Sequence, residues 1–267
     1  KMRVKFTPEC ETGNDVLSVS WLSMSFGSKR RFEGGDMQVY KGERVFILGA
    51  NGCGKTTLLR ILMRRMSADG GSFAFGANVE VGYFAQSLES LRGGKTVIDE
   101  IWDEHRVFTE TKVRSYLSLF LFRGDDVFKN VDALSGGEKA KLCLLKLMLS
   151  GANVLLLDEP TNHHDLPSRE VLEAALEDFD GTIIAVSHDR YFINKLSTKI
   201  YRMKPEGFEQ FDGDYSDYAE LALAQAKEKP QKAQPKQNAY KLRKERESEI
   251  NRLSGKILRG EAEMDRH

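Results

Sequence analysis

Gly49-Ala50-Asn51-Gly52-Cys53-Gly54-Lys55-Thr56-Thr57 is the stretch that decides the fold. The apolar run Val45-Phe46-Ile47-Leu48 leads into it and Leu58-Leu59-Arg60-Ile61-Leu62 follows, so a strand feeds a glycine-rich turn that opens a helix. Read as G-x-x-x-x-G-K-[ST], it is a P-loop. The glycines let successive backbone N–H groups curl around β- and γ-phosphates, Lys55 reaches the same oxygens, and Thr56 offers its hydroxyl to Mg²⁺.

Downstream, polar residues recur where apolar strands end. Val154-Leu155-Leu156-Leu157 runs into Asp158 and Glu159, as a buried parallel strand delivers carboxylates to the ligand edge of a sheet. Asp158 is placed to hold Mg²⁺, and Glu159 to orient or deprotonate a water attacking a γ-phosphate. Thr182-Ile183-Ile184-Ala185-Val186 ends at Ser187-His188-Asp189, where His188 either contacts the γ-phosphate or caps the next helix. Gln86, directly after the strand Val79 to Phe84, is placed to reach Mg²⁺ and the attacking water.

Two further sites carry double readings. Phe26, 29 residues ahead of Lys55, either stacks on adenine or belongs to the core. Ser135-Gly136-Gly137 opens a helix running to about Leu149, either as a capped start or as an anion site. No second lysine-bearing phosphate loop precedes it, so such an anion site would serve a nucleotide held by another domain. Asn162-His163-His164-Asp165 lacks a third ligand at zinc spacing, and a metal reading is set aside.

Composition bounds the rest. The chain has 267 residues and zero net charge, yet residues 227 to 267 carry twelve Lys/Arg against seven Asp/Glu. That basic tail suits either an RNA-bearing partner or a solvated helix. Three scattered cysteines form no disulfide framework and fit a reducing, cytoplasmic setting. The apolar run Leu142 to Leu149 is broken by Lys146, far short of the roughly 18 residues of a membrane span. There is no secretory signal pattern.

The expected organisation is a lead-in over 1–16, an α/β domain over 17–226 with packing helices between about 95 and 150, a polar linker over 227–238, and a charged helix over 239–267. Helices are expected over Thr96 to Glu104 and Glu110 to Phe122. Since the sequence starts at Lys1 and stops within a helical pattern, it reads as a piece of a longer chain.

In this order the motifs resemble the ATP-binding cassette, and specifically the ABC-F family. The P-loop, Gln86, the signature Leu134-Ser135-Gly136-Gly137-Glu138, Asp158-Glu159 and His188 cover nearly all of residues 17 to 211. Glu138, where transporter cassettes usually carry glutamine, Ser187-His188-Asp189-Arg190-Tyr191-Phe192 and Gly213-Asp214-Tyr215-Ser216-Asp217-Tyr218 point to ABC-F. His164 departs from the leucine usual in the loop that couples two cassettes.

The resemblance implies a P-loop NTPase of the cassette type, with a mixed sheet core and an inserted helical subdomain. It also implies ATP and Mg²⁺ as ligands, Phe26 as the adenine-stacking aromatic, and Ser135 to Gly137 completing the nucleotide of a second cassette. The chain is expected as the second cassette of a tandem protein, weak as an ATPase alone. Expected partners are the other cassette and the ribosome with its rRNA and tRNA, in translation or in protection from antibiotics. Two rivals stand beside it: an ATPase subunit of a membrane transporter, and a DNA-repair or chromosome-maintenance cassette.

Overall fold

The computed structural model describes residues 6, 8, 10–27, 29–84, 91–162 and 165–228, the side chains of 223–228 excepted. The expectations for Gln86, His163, His164 and residues 229–267 lie outside the described residues. Two compact units are separated at Ala219/Glu220, the second being described only as helix up to Glu228.

In chain order, β1 (Asp15–Phe26) and β2 (Lys29–Tyr40) form a long hairpin, and β3 (Arg44–Leu48) feeds α1 (Lys55–Leu62). After β4 (Gly70–Phe75) and β5 (Val81–Phe84) come three helices, α2 (Val97–Trp102), α3 (Glu110–Leu119) and α4 (Gly136–Leu149). The chain returns through β6 (Val154–Asp158), α5 (Leu166–Glu177), β7 (Thr182–Val186) and α6 (Arg190–Leu196). It closes with β8 (Lys199–Lys204), β9 (Gly207–Asp212) and α7 (Tyr215–Glu228).

The main sheet has strand order β5-β6-β7-β3-β8-β9, parallel except for the antiparallel β8–β9 hairpin. A separate antiparallel sheet has the order β2-β1-β4. The apolar strands β3, β6 and β7 lie side by side, and alternate residues feed two different cores. Phe46, Leu155, Leu157, Ile183 and Ala185 pack toward the helices, among them Leu117, Leu142, Leu145 and Phe192. Val45, Ile47, Val154, Leu156, Ile184 and Val186 pack toward α1 and the antiparallel sheet, where Leu58, Leu59, Phe32 and Val39 are buried. Burial on both faces explains why these strands read as continuous apolar runs.

Helix caps follow the sequence closely. Thr96 accepts from the Asp99 amide, and Thr109 accepts from the Lys112 amide at 3.3 Å. α3 stops at Leu119, short of the expected Phe122. Leu121 adopts φ 67°, and the amides of Leu121 and Phe122 close back on the carbonyls of Ser118 and Leu117. This left-handed closure ends the helix without glycine and turns Phe122 into the core instead of along the helix. Within the expected lead-in, Phe6 is buried, bridged to Phe179 and edge-on to Phe120 at 6.2 Å.

Candidate active site

Three loops converge because β6, β7 and β3 are neighbours whose C-terminal ends share one edge of the sheet, the edge where parallel α/β folds bind ligands. The P-loop leaves β3 at Gly49. A Cβ there would stand 2.7 Å from Cys53 Sγ and 3.1 Å from the Met203 carbonyl, so only glycine lets the loop fold back on itself. Gly54, at φ 111°, begins α1 with no side-chain cap, and the first turn carries no acidic residue. Its N-terminal amides therefore face the site as an anion cradle. Lys55 is 8% exposed and donates to the carbonyls of Gly49 (3.0 Å) and Ala50 (3.3 Å).

Asp158 ends β6 almost buried. Thr56 Oγ1 donates to its Oδ1 at 3.1 Å, and the Tyr83 hydroxyl also bonds to the carboxylate. Burial pushes the Asp158 carboxyl above its ordinary range, against the opposing pull of the Thr56 hydrogen bond, Arg60 and Lys55. A hydroxyl and a carboxylate side by side are hard oxygen donors. They fit Mg²⁺, which takes one or two carboxylates and completes its shell with phosphate and water.

Glu159 follows at φ 49°, a left-handed conformation costly for a residue with a side chain. Its amide is held by the Val186 carbonyl at 2.9 Å, which fastens the end of β6 to the end of β7. The turn brings its carboxylate to His188: Oε2 accepts from the His188 amide at 3.2 Å, and Oε1 lies 3.3 Å from Nε2. Asp189, not His188, caps α6, accepting from the amides of Tyr191 and Phe192, so His188 is left on the site.

A cavity of about 320 Å³ joins these parts, walled by Phe26, Arg31, Asn51, Gly52, Gly54, Lys55, Thr56, Thr57, Glu159, Val186 and His188. Phe26, at 42% exposure, is on the wall and not in the core. Gly49 and Cys53 shape the loop from behind, and Asp158 stands behind Thr56. Ser135, Gly136 and Gly137 are off this wall. Ser135 and Glu138 form a reciprocal capping box, with the Ser135 amide reaching Glu138 Oε2 at 2.8 Å, while a Cβ on Gly136 would meet nothing within 4 Å. Both readings of this turn therefore survive: it is a capped start whose first glycine, Gly136, lies open.

A family model described as "ABC transporter" matches residues 32–162. YdiF of Bacillus subtilis (strain 168) is 46% identical over 216 residues, 80% of this chain and 34% of that protein. ABC transporter F family member 5 of Arabidopsis thaliana is 36% identical over 246 residues, 91% of this chain and 36% of that one. Energy-dependent translational throttle protein EttA of Haemophilus influenzae is 38% identical over 218 residues, 80% of this chain and 39% of that one. The chain thus spans 34 to 39% of the length of these relatives. A solved bacterial Atm1-family ABC exporter with ATP bound shares the fold at TM-score 0.66 and 19% identity, over 87% of this chain and 45% of that one.

The chain carries an ABC ATPase domain. In this cassette, related to the ABC-F proteins, the sequence reading missed two groups at the site. Tyr83 reaches Asp158 from β5, which no linear spacing announces. Arg31 lies in the basic run Lys29-Arg30-Arg31 just after Phe26, but only the hairpin decides which of the three faces the P-loop. No helix among the described residues is long and apolar enough to cross a membrane.

Proposed function

We propose that this cassette is the second of a tandem ABC-F ATPase, that it hydrolyses ATP to ADP and phosphate at a site shared with the other cassette, and that it acts in the cytoplasm on the ribosome. The observation that carries the reading is the separation within one chain. Lys55, Thr56, Glu159 and His188 share one cavity wall, while Ser135 and Gly136 stand exposed away from it. Such a layout fits two cassettes that each complete the other's site. The ABC-F likeness, and a relative whose name calls it a translational throttle, support the ribosomal setting.

In this reading Phe26 stacks on adenine, and the amides from Gly49 to Thr57 cradle the phosphates with Lys55. Thr56, Asp158 and Gln86 would hold Mg²⁺, which when bound neutralises phosphate charge and polarises the transferred phosphoryl group. Glu159 accepts the proton of the attacking water. His188, bonded to Glu159 through both its amide and its ring, keeps that carboxylate in place and faces the γ-phosphate. The amides of Gly136 and Gly137, with the Ser135 hydroxyl, would face the partner's nucleotide, and closure of the pair excludes water. Residues 227–238 would link the 17–226 domain to a charged extension over 239–267, and a member of this kind serves either translation itself or protection from ribosome-targeting antibiotics.

The test is cosedimentation of the full-length parent carrying Glu159→Gln with ribosomes, with and without ATP, at two salt concentrations. ATP-dependent, salt-sensitive pelleting is expected. Retained ATP binding without pelleting would overturn the ribosomal role and favour a permease or DNA partner. Robust turnover by a strictly monomeric sample would overturn the shared site.

A further inference from the structure

The basic run after Phe26 divides its labour. Arg30 pairs with Glu33 on the outside of the hairpin. Arg31 turns the other way, onto the P-loop, where its Nη1 donates to the Gly52 carbonyl at 2.5 Å. Its guanidinium carbon lies 5.5 Å from the centroid of the Phe26 ring. A Cβ on Gly52 would meet Nη1 at 3.5 Å, and one on Gly54 would meet the Arg31 Cβ at 3.3 Å, so the arginine lies where the loop has no side chains. Among the described residues no carboxylate forms an ion pair with Arg31, which adds an unneutralised cation to the wall that holds Lys55.

We propose that Arg31 is a positioning residue for the nucleotide, holding the base-stacking ring and the phosphate loop in one register. This rests on the nucleotide-site reading above. A peptide plane carries its carbonyl and N–H on opposite edges, so the Arg31 bond to the Gly52 carbonyl and the Cys53 amide's bond to the Ala50 carbonyl at 3.1 Å hold one plane from both edges. Gly52, at φ 73°, has no side chain of its own to hold that plane, and a flipped plane would give up both bonds and change the edge of the loop that meets phosphate. The same guanidinium lies against Phe26 by a cation–π contact, so the ring and the loop are tied through one rigid group. Lysine keeps the charge but lacks the planar fork that makes both contacts at once.

The experiment is calorimetric titration of the whole chain with two probes, ADP and inorganic tripolyphosphate. The proteins are the wild type, Arg31→Ala, Arg31→Lys, Phe26→Ala and the Arg31→Ala/Phe26→Ala double variant, each checked by thermal unfolding. Arg31→Ala is expected to weaken both probes by about tenfold, a loss of about 1.4 kcal/mol. Arg31→Lys should not restore ADP affinity. Phe26→Ala should weaken ADP alone, and the double variant should lose less ADP affinity than the product of the single losses, because the two groups act together. Wild-type affinity in Arg31→Ala, full rescue by Arg31→Lys, or losses that simply multiply would each overturn the proposal. A wild type that binds neither probe would instead overturn the nucleotide site itself.

Discussion

At Asp158, burial and charge oppose each other. Its carboxyl titrates above the value of a free aspartate, so its contribution to stability is full below that free value and is lost as pH rises through the folded one. At neutral pH the ionised group is a cost that Thr56, Arg60 and Lys55 only partly offset. Asp158→Asn should therefore raise the melting temperature at pH 7 in the absence of Mg²⁺ and nucleotide, with the gain shrinking toward acid. The same variant should lose the stabilisation that Mg·ATP gives the wild type, read by a thermal shift with and without EDTA. Glu159 makes a different trade. Its left-handed backbone costs about 1–3 kcal/mol, and the strain turns the carboxylate onto His188. Glu159→Gln should leave ADP affinity intact and slow hydrolysis by 100-fold or more, on the order expected for removing a general base, as a phosphate-release assay would show.

Among the elements, α4 and β7 give the sharpest expectations. Ser135→Ala removes a cap that also anchors Glu138, and should cost about 1 kcal/mol in urea unfolding. ADP affinity of the single chain should be unchanged, since Ser135 is off the P-loop cavity; a matching loss of ADP affinity would refute the division between the two sites. Arg44 donates to the carbonyls of Phe179, without which the turn before β7 loses a clamp, and of Gly181 at 2.6 Å. Arg44→Met leaves both acceptors in a half-buried place and should cost about 2–3 kcal/mol.

The elements also show what the linear sequence carries and what it does not. β6 and β7, like β3, are legible because strands buried on both faces are bounded apolar runs. The P-loop, Glu159 and His188 are legible because each sits at the end of such a run. The end of α3 is not, since Leu121 takes a left-handed turn that sequence assigns to glycine. Trp21 is similar: at φ 52° it sits where the β1–β2 register shifts, its amide fastened to Asp36 Oδ1 at 2.9 Å, a break that alternation alone does not mark. Arg31 and Tyr83 stayed hidden because their partners lie in other elements, and spacing along the chain says nothing about facing across a gap.

For the molecule as a whole, the proposed pairing makes hydrolysis a property of concentration. Specific activity of the isolated chain should climb as it is concentrated, and mixing with a Ser135→Ala chain should lower the turnover of wild-type sites. A rate per chain that stays flat over about a hundredfold dilution would mean that one chain completes its own site.

The alternation of β3, β6 and β7 between two cores has a consequence for how such a chain can change over generations. Because odd and even positions serve different cores, adding or deleting one residue within β6 would exchange Val154 and Leu156 with Leu155 and Leu157 and carry Asp158 to the opposite face. Substitutions there are graded in their damage, whereas a change of length is not. The sheet therefore works as a ruler marked in single residues, and variation in chain length is confined to the connections that leave these strand ends in register.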